Sequence, residues 1–572
     1  MYCGMFIIVI GILITVATRR RKVGNATYLE EYRSHRVNGK VVTKFVRYIG
    51  KEDSGNKVVE SSRIIDRLVP AGSRRAGDVD LLWSIAQNLE IPGIIDRMCH
   101  PGSSISPGKV LTAWAINRVV DPESATQLEQ WVKTTDLPRL SGIPEDWWTK
   151  DLFLDSLDAI CYDQRRTQEL KDLTRNIDEE IFRHWRTKHP LNGKDHVAYD
   201  LTTLLLFGTS CPLAEFGYNP NHENRRQINI ALMVSKEDYQ PEYHAVFNGS
   251  RSGSTTIRNL ITALPRNNDE HPGTIIWDRG NISEKNVKEL EATGWFLISG
   301  IPKSVKQIHD ILSHTEIKQR PDNHVRKANT AHIYADLVHE NIYGKNRNIA
   351  VYVNPLKALN ESDERNSELS DIAKKLDILS RECKDWNESS IHREMSRITG
   401  RWKQYFDVKI KRNGSSRIEW RYHSHALAAA ERLDGRSAIL CTDPDLSALD
   451  IVNMYLEKDF VEKAFRTMKT QDEVVTVRHR LERGVRAYVF VMVTAYRLID
   501  ALVYAIRESG DRDPWEKSQD LIRYLSRVER TEITLGKERK IWFLNTRKEE
   551  MELLKKLGYG ELFDEKQQKN SV

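Results

Sequence analysis

The sequence predicts an α+β protein of several domains, in which a helical part precedes a sheet-containing core. The chain has 572 residues, of which 40% are hydrophobic and 29% charged, and at roughly 150 residues per domain this suffices for three or four cores. From Leu81 to Trp185 apolar residues recur every three or four positions, as in amphipathic helices. From His196 the pattern changes to short β-branched runs that alternate with helical segments.

The composition excludes a wholly disordered chain, a collagen-like repeat and a disulfide scaffold. Lys and Arg number 87 against 81 Asp and Glu, and this small surplus permits a polyanionic partner without establishing one. The 6 cysteines are scattered and none forms a C-x-x-C pair. This argues against a zinc ribbon and fits a reducing cytoplasm.

The chain begins with an unusual apolar segment. Tyr2 to Thr18 are nearly all apolar, and the basic run Arg19 to Lys22 follows at once. Two interpretations of the apolar part remain open, a marginal membrane span with a cytoplasmic basic flank and a start codon assigned too far upstream. We favour the upstream start over a membrane tether. The basic run is a DNA contact, a membrane flank or simply a solvated stretch.

Changes of pattern along the rest of the chain divide it into segments. A hairpin is predicted around Asn38 and Gly39, with a polar linker after it. The predicted segments are 1–24 (apolar N-terminal segment), 25–80 (β-hairpin arm and linker), 81–190 (helical domain), 191–300 with 437–505 (sheet-containing catalytic domain), 301–436 (insertion) and 506–572 (C-terminal helical region).

Two aspartates lie where a carboxylate is costly unless its charge is used. Asp200 is inside an apolar strand candidate, and Asp278 follows the apolar or neutral run TIIW at a strand end. Carboxylates at the ends of sheet strands are suitable ligands for a divalent metal. For each residue alone, an ordinary capping or turn aspartate is the alternative.

A third acidic residue, Glu462, lies in a predicted long helix that begins near residue 445. Tyr455, Lys458 and Lys469 are spaced so that they share one face of that helix with Glu462. A glutamate between two lysines is also compatible with an ordinary solvated salt-bridge stripe.

The segment YLEKDFVEKAFRTMK closely resembles the Tyr-Arg-Glu-Lys signature of insertion-sequence DDE transposases of the IS-four-like group. The resemblance spans roughly residues 25 to 500 and includes YDLTTLLLFG, YHAVFNGSRSGSTTI, WDRGNISEKNVKELEATGWFLISG and LDGRSAILCTD, in that order. It implies an RNase H-like α/β catalytic core with a mostly β insertion. We also expect the helical domain and the hairpin arm that precede this core to recognise the DNA ends.

The resemblance also implies a site chemistry. Asp200, Asp278 and Glu462 would be the catalytic residues and would bind two Mg²⁺ ions, for which Mn²⁺ can substitute. Tyr455, Lys458 and Lys469 would hold the DNA backbone beside the metals. The sequence has Lys458 where Arg is usual, which keeps the charge but loses the bidentate fork. This departure puts strand positioning in doubt and leaves the metal site unaffected.

Three further residues are candidates for DNA contact. Arg279 and Arg466 are phosphate candidates, although either is equally compatible with a surface ion pair. Trp420 lies in the basic segment KIKRNGSSRIEWRYH, a composition that suits backbone contact with base stacking. For Trp420, as for Trp402, a tryptophan of the core is the alternative.

Together these features predict a cut-and-paste transposase that cleaves DNA at terminal inverted repeats and joins the ends to target DNA. The expected partners are DNA and a second copy of the chain in a synaptic homodimer, without a small-molecule substrate, in the cytoplasm at the nucleoid. One rival is an RNase H-like structure-specific endonuclease, which would lack strand transfer. The others are an inactive DNA-end-binding relic and a membrane-tethered DNA-binding regulator.

Overall fold

The computed structural model of the chain describes residues 15–563 with short gaps. The gaps are residues 24–25, 38–39, 53–57, 61–67, 100–103, 165–166, 168, 192, 207–209, 218, 220–223, 265–272, 319, 326–331, 414, 470–479 and 536–537. The apolar segment before Thr15 and the predicted turn at Asn38 and Gly39 therefore lie outside the described residues. The chain forms two compact units, Met1–Ser84 with Glu129–Trp148 and Ala505–Val572, and Ile85–Leu128 with Thr149–Tyr504.

The first unit contains two antiparallel sheets. The N-terminal sheet has the order β1-β2-β3-β4, with strands Thr15–Val23, Ala26–Val37, Lys40–Glu52 and Val58–Glu60. The second sheet has the order β21-β20-β5, with strands Glu538–Leu544, Glu529–Leu535 and Leu68–Arg75. The pairing of β2 with β3 confirms the predicted N-terminal hairpin.

The second sheet differs from the sequence-based expectation in two places. Strand β5 lies in the segment predicted to be a polar linker, and β20 with β21 lies in the C-terminal region predicted to be helical. The segments ERTEITL and ERKIWFL are short and rich in β-branched or aromatic residues, a composition that favours strands. The prediction of a purely helical C-terminus is therefore wrong.

The segment from residue 77 to residue 188 is helical, as predicted. Its helices are α1 (Gly77–Asn88), α2 (Ile91–Met98), α3 (Pro107–Val120), α4 (Ala125–Lys133), α5 (Leu137–Ser141), α6 (Lys150–Ile160) and α7 (Thr174–Lys188). A small hairpin, β6 (Cys161–Asp163) with β7 (Leu170–Asp172), separates the last two helices. Helix α3 begins at the Ser106 cap with Pro107 in its first turn, a favourable helix start.

A ten-stranded sheet forms the centre of the second unit, in the order β11-β10-β8-β12-β13-β19-β16-β15-β14, with β9 beside β10. Strand β8 pairs antiparallel with β10 and parallel with β12, which in turn is parallel to β13. The strands are β8 (Asp195–Leu205), β9 (Glu215–Phe216), β10 (Arg226–Ser235), β11 (Pro241–Asn248), β12 (Gly273–Trp277), β13 (Phe296–Ile301), β14 (His324–Val325), β15 (Ile333–Ile342), β16 (Lys345–Val353) and β19 (Arg436–Cys441).

Helices cover both faces of this sheet. One face packs against α8 (Gly253–Ala263), α9 (Glu284–Glu291) and α10 (Lys306–His314) in a core centred on Trp277 and Leu297. The other face packs against α14 (Ala448–Leu456) and α15 (Asp459–Lys469). The overall class, α+β with several sheets, agrees with the prediction.

The insertion is more helical than predicted. It contains α11 (Pro355–Glu382), α12 (Glu388–Thr399), the hairpin β17 (Phe406–Asn413) with β18 (Ser415–Tyr422), and α13 (Ser424–Leu433). Its strands β15 and β16 join the central sheet instead of forming a separate β domain. Helix α11 begins at the Asn354 cap and buries apolar residues spaced three or four apart. This pattern favours a helix, so the expectation of a mostly β insertion is wrong.

Helix α16 (Glu482–Glu508) is largely buried, and its residues up to Tyr504 belong to the second unit. Among the described residues it is the one helix long and apolar enough to cross a membrane, and most of its apolar window is buried inside the protein. It carries a fully buried arginine, Arg497, whose guanidinium donates to Asp178 (2.6 Å) and Gln240 (3.0 Å). The second oxygen of Asp178 lies 2.8 Å from Nδ1 of His244.

The buried pair of Asp178 and Arg497 predicts a pH-dependent contribution to stability. Burial raises the pKa of Asp178, but the charges of Arg497 and His244 outweigh it, so the net pKa lies below the ordinary value. A carboxyl group whose pKa is lowered by folding stabilises the native state above its unfolded pKa, about 3.9. This contribution is therefore present at neutral pH and is lost as the pH falls through the folded pKa.

We expect Asp178→Asn to lower the free energy of unfolding at pH 7 by about 3 to 5 kcal/mol, because it leaves a buried guanidinium without its counter-ion. Urea unfolding followed by tryptophan fluorescence measures the loss. Asp520→Asn, which removes an exposed carboxylate paired with Arg523 at 2.9 Å, is the control and changes stability by less than about 0.5 kcal/mol. Equal effects of the two substitutions would contradict the assignment.

Candidate active site

Two carboxylates lie side by side on neighbouring strands of the central sheet. Strands β8 and β12 are parallel, and Tyr199 pairs with Trp277 in their register. Asp200 and Asp278 are the next residues along each strand direction, so the two aspartates come to the same level of the sheet. Adjacent strands are about 4.8 Å apart. The prediction that both aspartates belong to strands or strand ends is confirmed.

The turn after β12 fixes the position of Asp278. All five residues of β12 are buried, and the strand ends at Asp278, which begins a short 3₁₀ turn, Arg279–Asn281. The backbone N–H of Asn281 donates to the carbonyl of Asp278 (2.9 Å). The buried side chain of Asn286 donates to the carbonyl of Asn281 (2.9 Å). These bonds tie the turn to helix α9.

Two proton donors converge on one oxygen of Asp278. The phenol of Tyr455 donates to Oδ1 at 3.0 Å, and the ammonium of Lys458 donates to the same atom at 2.8 Å. Burial raises the pKa of Asp278, but Lys458 and Tyr455 outweigh it and the net pKa is lowered. Burial and the neighbouring Asp278 raise the pKa of the Tyr455 phenol, so it remains a donor.

The pKa of Asp200 is shifted in the opposite direction from that of Asp278. Burial raises its pKa to about 6, against the lowering effects of the Leu201 backbone N–H and of Lys458. The charges of Asp278 and Glu462 act in the same direction as burial and contribute to this net pKa. Because these charges act on Asp200, both carboxylates lie within electrostatic range of it. Negative charge is therefore concentrated here, and the carboxylate form of Asp200 is disfavoured unless a cation is present.

The predicted single helix around Glu462 is in fact two helices. Helix α14 ends at Leu456, Glu457 and Lys458 form a turn, and α15 begins at Asp459. The prediction that Tyr455 and Lys458 share a helical face with Glu462 is therefore wrong. Helix α14 packs on β13, β15, β16 and β19, whereas α15 packs on β8 and β10. The chain must change direction for both helices to bury their apolar residues.

Glu462 lies in the first turn of α15 and is exposed. The other side of this helix is buried through apolar residues, among them Phe460, Phe465 and Met468. The carbonyl of Met468 near the helix end accepts a hydrogen bond from the buried guanidinium of Arg118 on α3 (3.2 Å). A cation at this end favours the helix dipole, so Arg118 helps to hold α15 in place.

The remaining sequence-predicted residues have different surroundings. Arg279 is exposed beside Asp278, and Arg466 is exposed one turn beyond Glu462. The side chain of Lys469 lies outside the described residues. Trp420 packs with Phe406 and Tyr422 in the insertion hairpin.

The indole N–H of Trp420 donates to Asp377 (2.8 Å). These contacts agree with the core interpretation of Trp420, and its role in DNA contact stays a prediction. The hydrogen bond and ring contacts described for Trp420 are all to residues of the insertion. Trp402 lines a cavity of about 420 Å³ on the insertion, next to Arg401 and Tyr405.

A glycine missed by the sequence analysis makes the contact between Tyr455 and Asp278 possible. A Cβ at Gly300 on β13 would lie 2.5 Å from the Tyr455 hydroxyl oxygen and 3.1 Å from its Cζ. The first of these distances is shorter than the two atoms can approach. The missing side chain leaves room for the phenol to reach Asp278. An isolated glycine within the strand pattern FLISGI is the signal that could have identified it. For Arg118 the sequence gives no comparable signal.

The donor set suits a hard divalent cation, because three carboxylates supply oxygen ligands. One observation of the structure supports this fit: a cation, the Lys458 ammonium, already lies on Asp278, where it offsets part of the negative charge. Within the part of the chain that the structure describes, no three His, Cys, Asp or Glu side chains are grouped closely enough to hold a metal. The chemistry of the residues fits a metal, whereas their geometry is not that of an assembled site.

Residues 191–498 match the family described as Transposase DDE domain. The chain belongs to this family of DDE transposases. The match covers the whole central sheet, including the strands of the insertion, and all three carboxylates. DDE transposases generally use divalent metal ions, and DNA is the partner on which they act. The transposase is thus an enzyme of DNA transposition.

The transposase is similar to the piggyBac transposase in its synaptic complex with hairpin DNA, with 11% sequence identity and a TM-score of 0.38. The similarity covers 79% of this chain and 81% of the other. A comparison with curated proteins finds no match.

We expect Gly300→Ala to destabilise the transposase by about 1 to 3 kcal/mol, because the new methyl group overlaps the Tyr455 hydroxyl. In a Tyr455→Phe background the same substitution costs less, since the overlapping oxygen is gone. Urea unfolding of the four proteins measures this coupling. Gly280→Ala is the matched control, because a Cβ there meets nothing within 4 Å. Additive effects of Gly300→Ala and Tyr455→Phe would contradict the proposed contact.

Proposed function

We propose that this transposase moves an insertion sequence of the IS-four-like group by a cut-and-paste reaction. It cleaves DNA at the terminal inverted repeats and joins the freed 3′-hydroxyls to target DNA. The observation that carries the proposal is the arrangement of three carboxylates: Asp200 beside Asp278 on parallel strands, and Glu462 within electrostatic range. The segment from Tyr455 to Lys469 is the Lys-containing form of the Tyr-Arg-Glu-Lys signature.

The sheet topology supports an RNase H-like catalytic core. Five neighbouring strands have the order β11-β10-β8-β12-β13. The first three in the chain, β8, β10 and β11, are successive antiparallel neighbours, and β12 and β13 then add in parallel on the other side of β8. In this core β8 carries the first carboxylate, the end of β12 the second and helix α15 the third.

In the proposed site Asp200, Asp278 and Glu462 hold two Mg²⁺ ions, with Mn²⁺ as a substitute. When bound, such ions supply Lewis acidity and activate the nucleophile for in-line displacement at phosphorus. Tyr455 and Lys458 keep the Asp278 carboxylate ionised and oriented. Lys458 also lies beside the carboxylates, where its ammonium is available to a DNA phosphate.

Four other residues complete the proposed DNA contact. Arg279, Arg466 and Lys469 contact backbone phosphates, and Trp420 stacks on a base at the DNA end. The helical domain of residues 81–190 recognises the inverted repeats, and two copies of the chain bring the two ends together. The reaction has no small-molecule substrate. We place the protein in the cytoplasm at the nucleoid.

The first experiment tests the carboxylates with DNA that carries the inverted repeats. We expect Asp200→Asn, Asp278→Asn and Glu462→Gln each to lower the cleavage rate at least about 1,000-fold, because metal sites rely on every charged ligand. DNA binding is retained. Glu457→Gln is the control, since it removes the same charge five residues away, in an exposed pair with Lys236 at 3.0 Å. Gel assays of cleavage and of strand transfer, with Mg²⁺, with Mn²⁺ and with EDTA, measure the outcome.

Three outcomes would contradict parts of the proposal. Cleavage that survives any of the three substitutions would remove that residue from the site. Cleavage without strand transfer would favour a structure-specific endonuclease. Binding without cleavage by the unmodified protein would indicate an inactive relic.

Lys458 provides a separate test of the contact to Asp278. We expect Lys458→Gln to reduce cleavage more than about tenfold, because Asp278 loses a charge-assisted hydrogen bond and the DNA loses a cation. Lys458→Arg restores the residue usual in the signature, with a bidentate fork, and keeps cleavage within about threefold of the unmodified rate. Rates are measured at saturating DNA. A Lys458→Gln protein with full activity would rule out the role.

A further inference from the structure

One face of the N-terminal sheet carries four exposed cations. Residues directly opposite each other on neighbouring antiparallel strands project to the same side, and positions two apart along a strand share that side. The register pairs Arg20 with Leu29, Lys22 with Thr27 and Arg33 with Lys44. Arg20, Lys22, Arg33 and Lys44 therefore lie on one face, here called the basic face, and all four are exposed.

The opposite face has a different character. Tyr28 packs against Tyr48 and Tyr32 against Phe45, with ring centroids 5.7 and 5.6 Å apart. Arg21 on this face forms an ion pair with Glu30 at 3.5 Å. The basic run that followed the apolar segment in the sequence is thus divided between the two faces. Arg20 and Lys22 lie on the basic face. Arg19 and Arg21 lie on the other face, where Arg19 is opposite Glu30 in the register and Arg21 forms the ion pair with it.

The basic face includes an unfavourable pair. Arg33 and Lys44 are directly opposite each other on β2 and β3, and like charges in this position destabilise a sheet. Among the side chains that the structure describes on this face, four are cationic and one, Glu31, is acidic. Such an excess costs the free protein stability and is relieved when a polyanion covers the face.

We propose that the basic face binds the phosphate backbone of duplex DNA. The proposal rests on the proposed function for one point, that DNA is the substrate. Thr27 and Arg33 are six residues apart on β2, which corresponds to about 20 Å. The four cations therefore fall within one turn of duplex DNA, about 34 Å. Each cation that meets a phosphate releases counter-ions, so the contact contributes affinity without reading sequence.

The test compares two variants of the full-length protein, each with four cations replaced by glutamine. One carries the changes at Arg20, Lys22, Arg33 and Lys44. The control carries them at four exposed residues on helices, Lys285, Lys374, Arg523 and Lys548, whose side chains are 64%, 71%, 68% and 89% exposed. Fluorescence anisotropy measures the Kd for a 40-base-pair duplex, a probe length of about four turns, at several salt concentrations.

We expect the basic-face variant to bind DNA about 10- to 100-fold more weakly at moderate salt. The slope of log affinity against log salt should fall by about 3 to 4, at about 0.9 per lost phosphate contact. The control keeps the slope of the unmodified protein. Equal losses in the two variants would show an effect of net charge and would overturn the proposal. So would an unchanged slope in the basic-face variant.

A single substitution keeps the test independent of folding. Lys44→Thr removes the like-charge pair and places a good strand former on β3. We expect it to raise the melting temperature while lowering the salt slope by about 0.9. Stability and DNA binding would move in opposite directions, which loss of fold cannot produce. A Lys44→Thr protein with an unchanged slope would remove that residue from the contact.

Two further measurements distinguish this proposal from membrane binding and from the proposed catalytic function. Binding to phosphatidylglycerol vesicles is measured with the same variants, and a loss confined to vesicles would overturn the DNA proposal in favour of a membrane surface. Glu462→Gln is measured in parallel, and it should keep the full salt slope. Absence of cleavage by the unmodified protein would contradict the proposed function and leave the slope comparison valid.

Discussion

The parallel pairing of β8 with β12 is the constraint on which the site depends. It brings two carboxylates to the same level of one sheet, where burial and mutual repulsion disfavour both charges. At Asp278 the charge is stabilised by Lys458 and Tyr455, which both donate hydrogen bonds to the same carboxylate oxygen. At Asp200 it provides one backbone N–H and the more distant charge of Lys458, so the raised pKa persists. The two aspartates thus differ in how their charge is stabilised. Side chains of the protein offset the charge of Asp278, whereas the charge of Asp200 depends on an added cation.

The break between α14 and α15 follows from the same arrangement. Tyr455 and Lys458 must reach the end of β12, whereas Glu462 must face β8 from the other half of the sheet. A single straight helix could make the contacts of Tyr455 and Lys458 with Asp278 or the packing on β8, but not both. The turn at Glu457 and Lys458 lets each helix bury its own apolar residues. Asp459 and Glu462 in the first turn of α15 favour a new helix start.

Much of the local structure could be predicted from the sequence, because it rests on local patterns. The strands that carry Asp200 and precede Asp278, the N-terminal hairpin and the helical region after residue 77 have clear periodicities. The helix break could not be predicted, since LEKDF contains neither glycine nor proline and only tertiary packing divides it. The short strands β20 and β21 lie between helical segments, and the helical pattern around them led to a helical prediction for the whole C-terminal region. The role of Gly300 depends on a residue 155 positions away, Tyr455, and such distances leave no local pattern.

The insertion has a consequence for how such proteins can vary. Its strand β16 hydrogen-bonds directly to β19, and β15 pairs with β16, so both strands continue the central sheet. Ile333 and Ala350 from these strands share a core with Val452 and Met454 of α14, the helix that carries Tyr455. The insertion therefore cannot be removed without loss of structure. Its excision would expose the edge of β19 and the apolar side of α14, the helix beside the carboxylates. Its outer helices and the β17–β18 hairpin do not join the central sheet, whereas recombination across β15 or β16 would have to conserve that sheet.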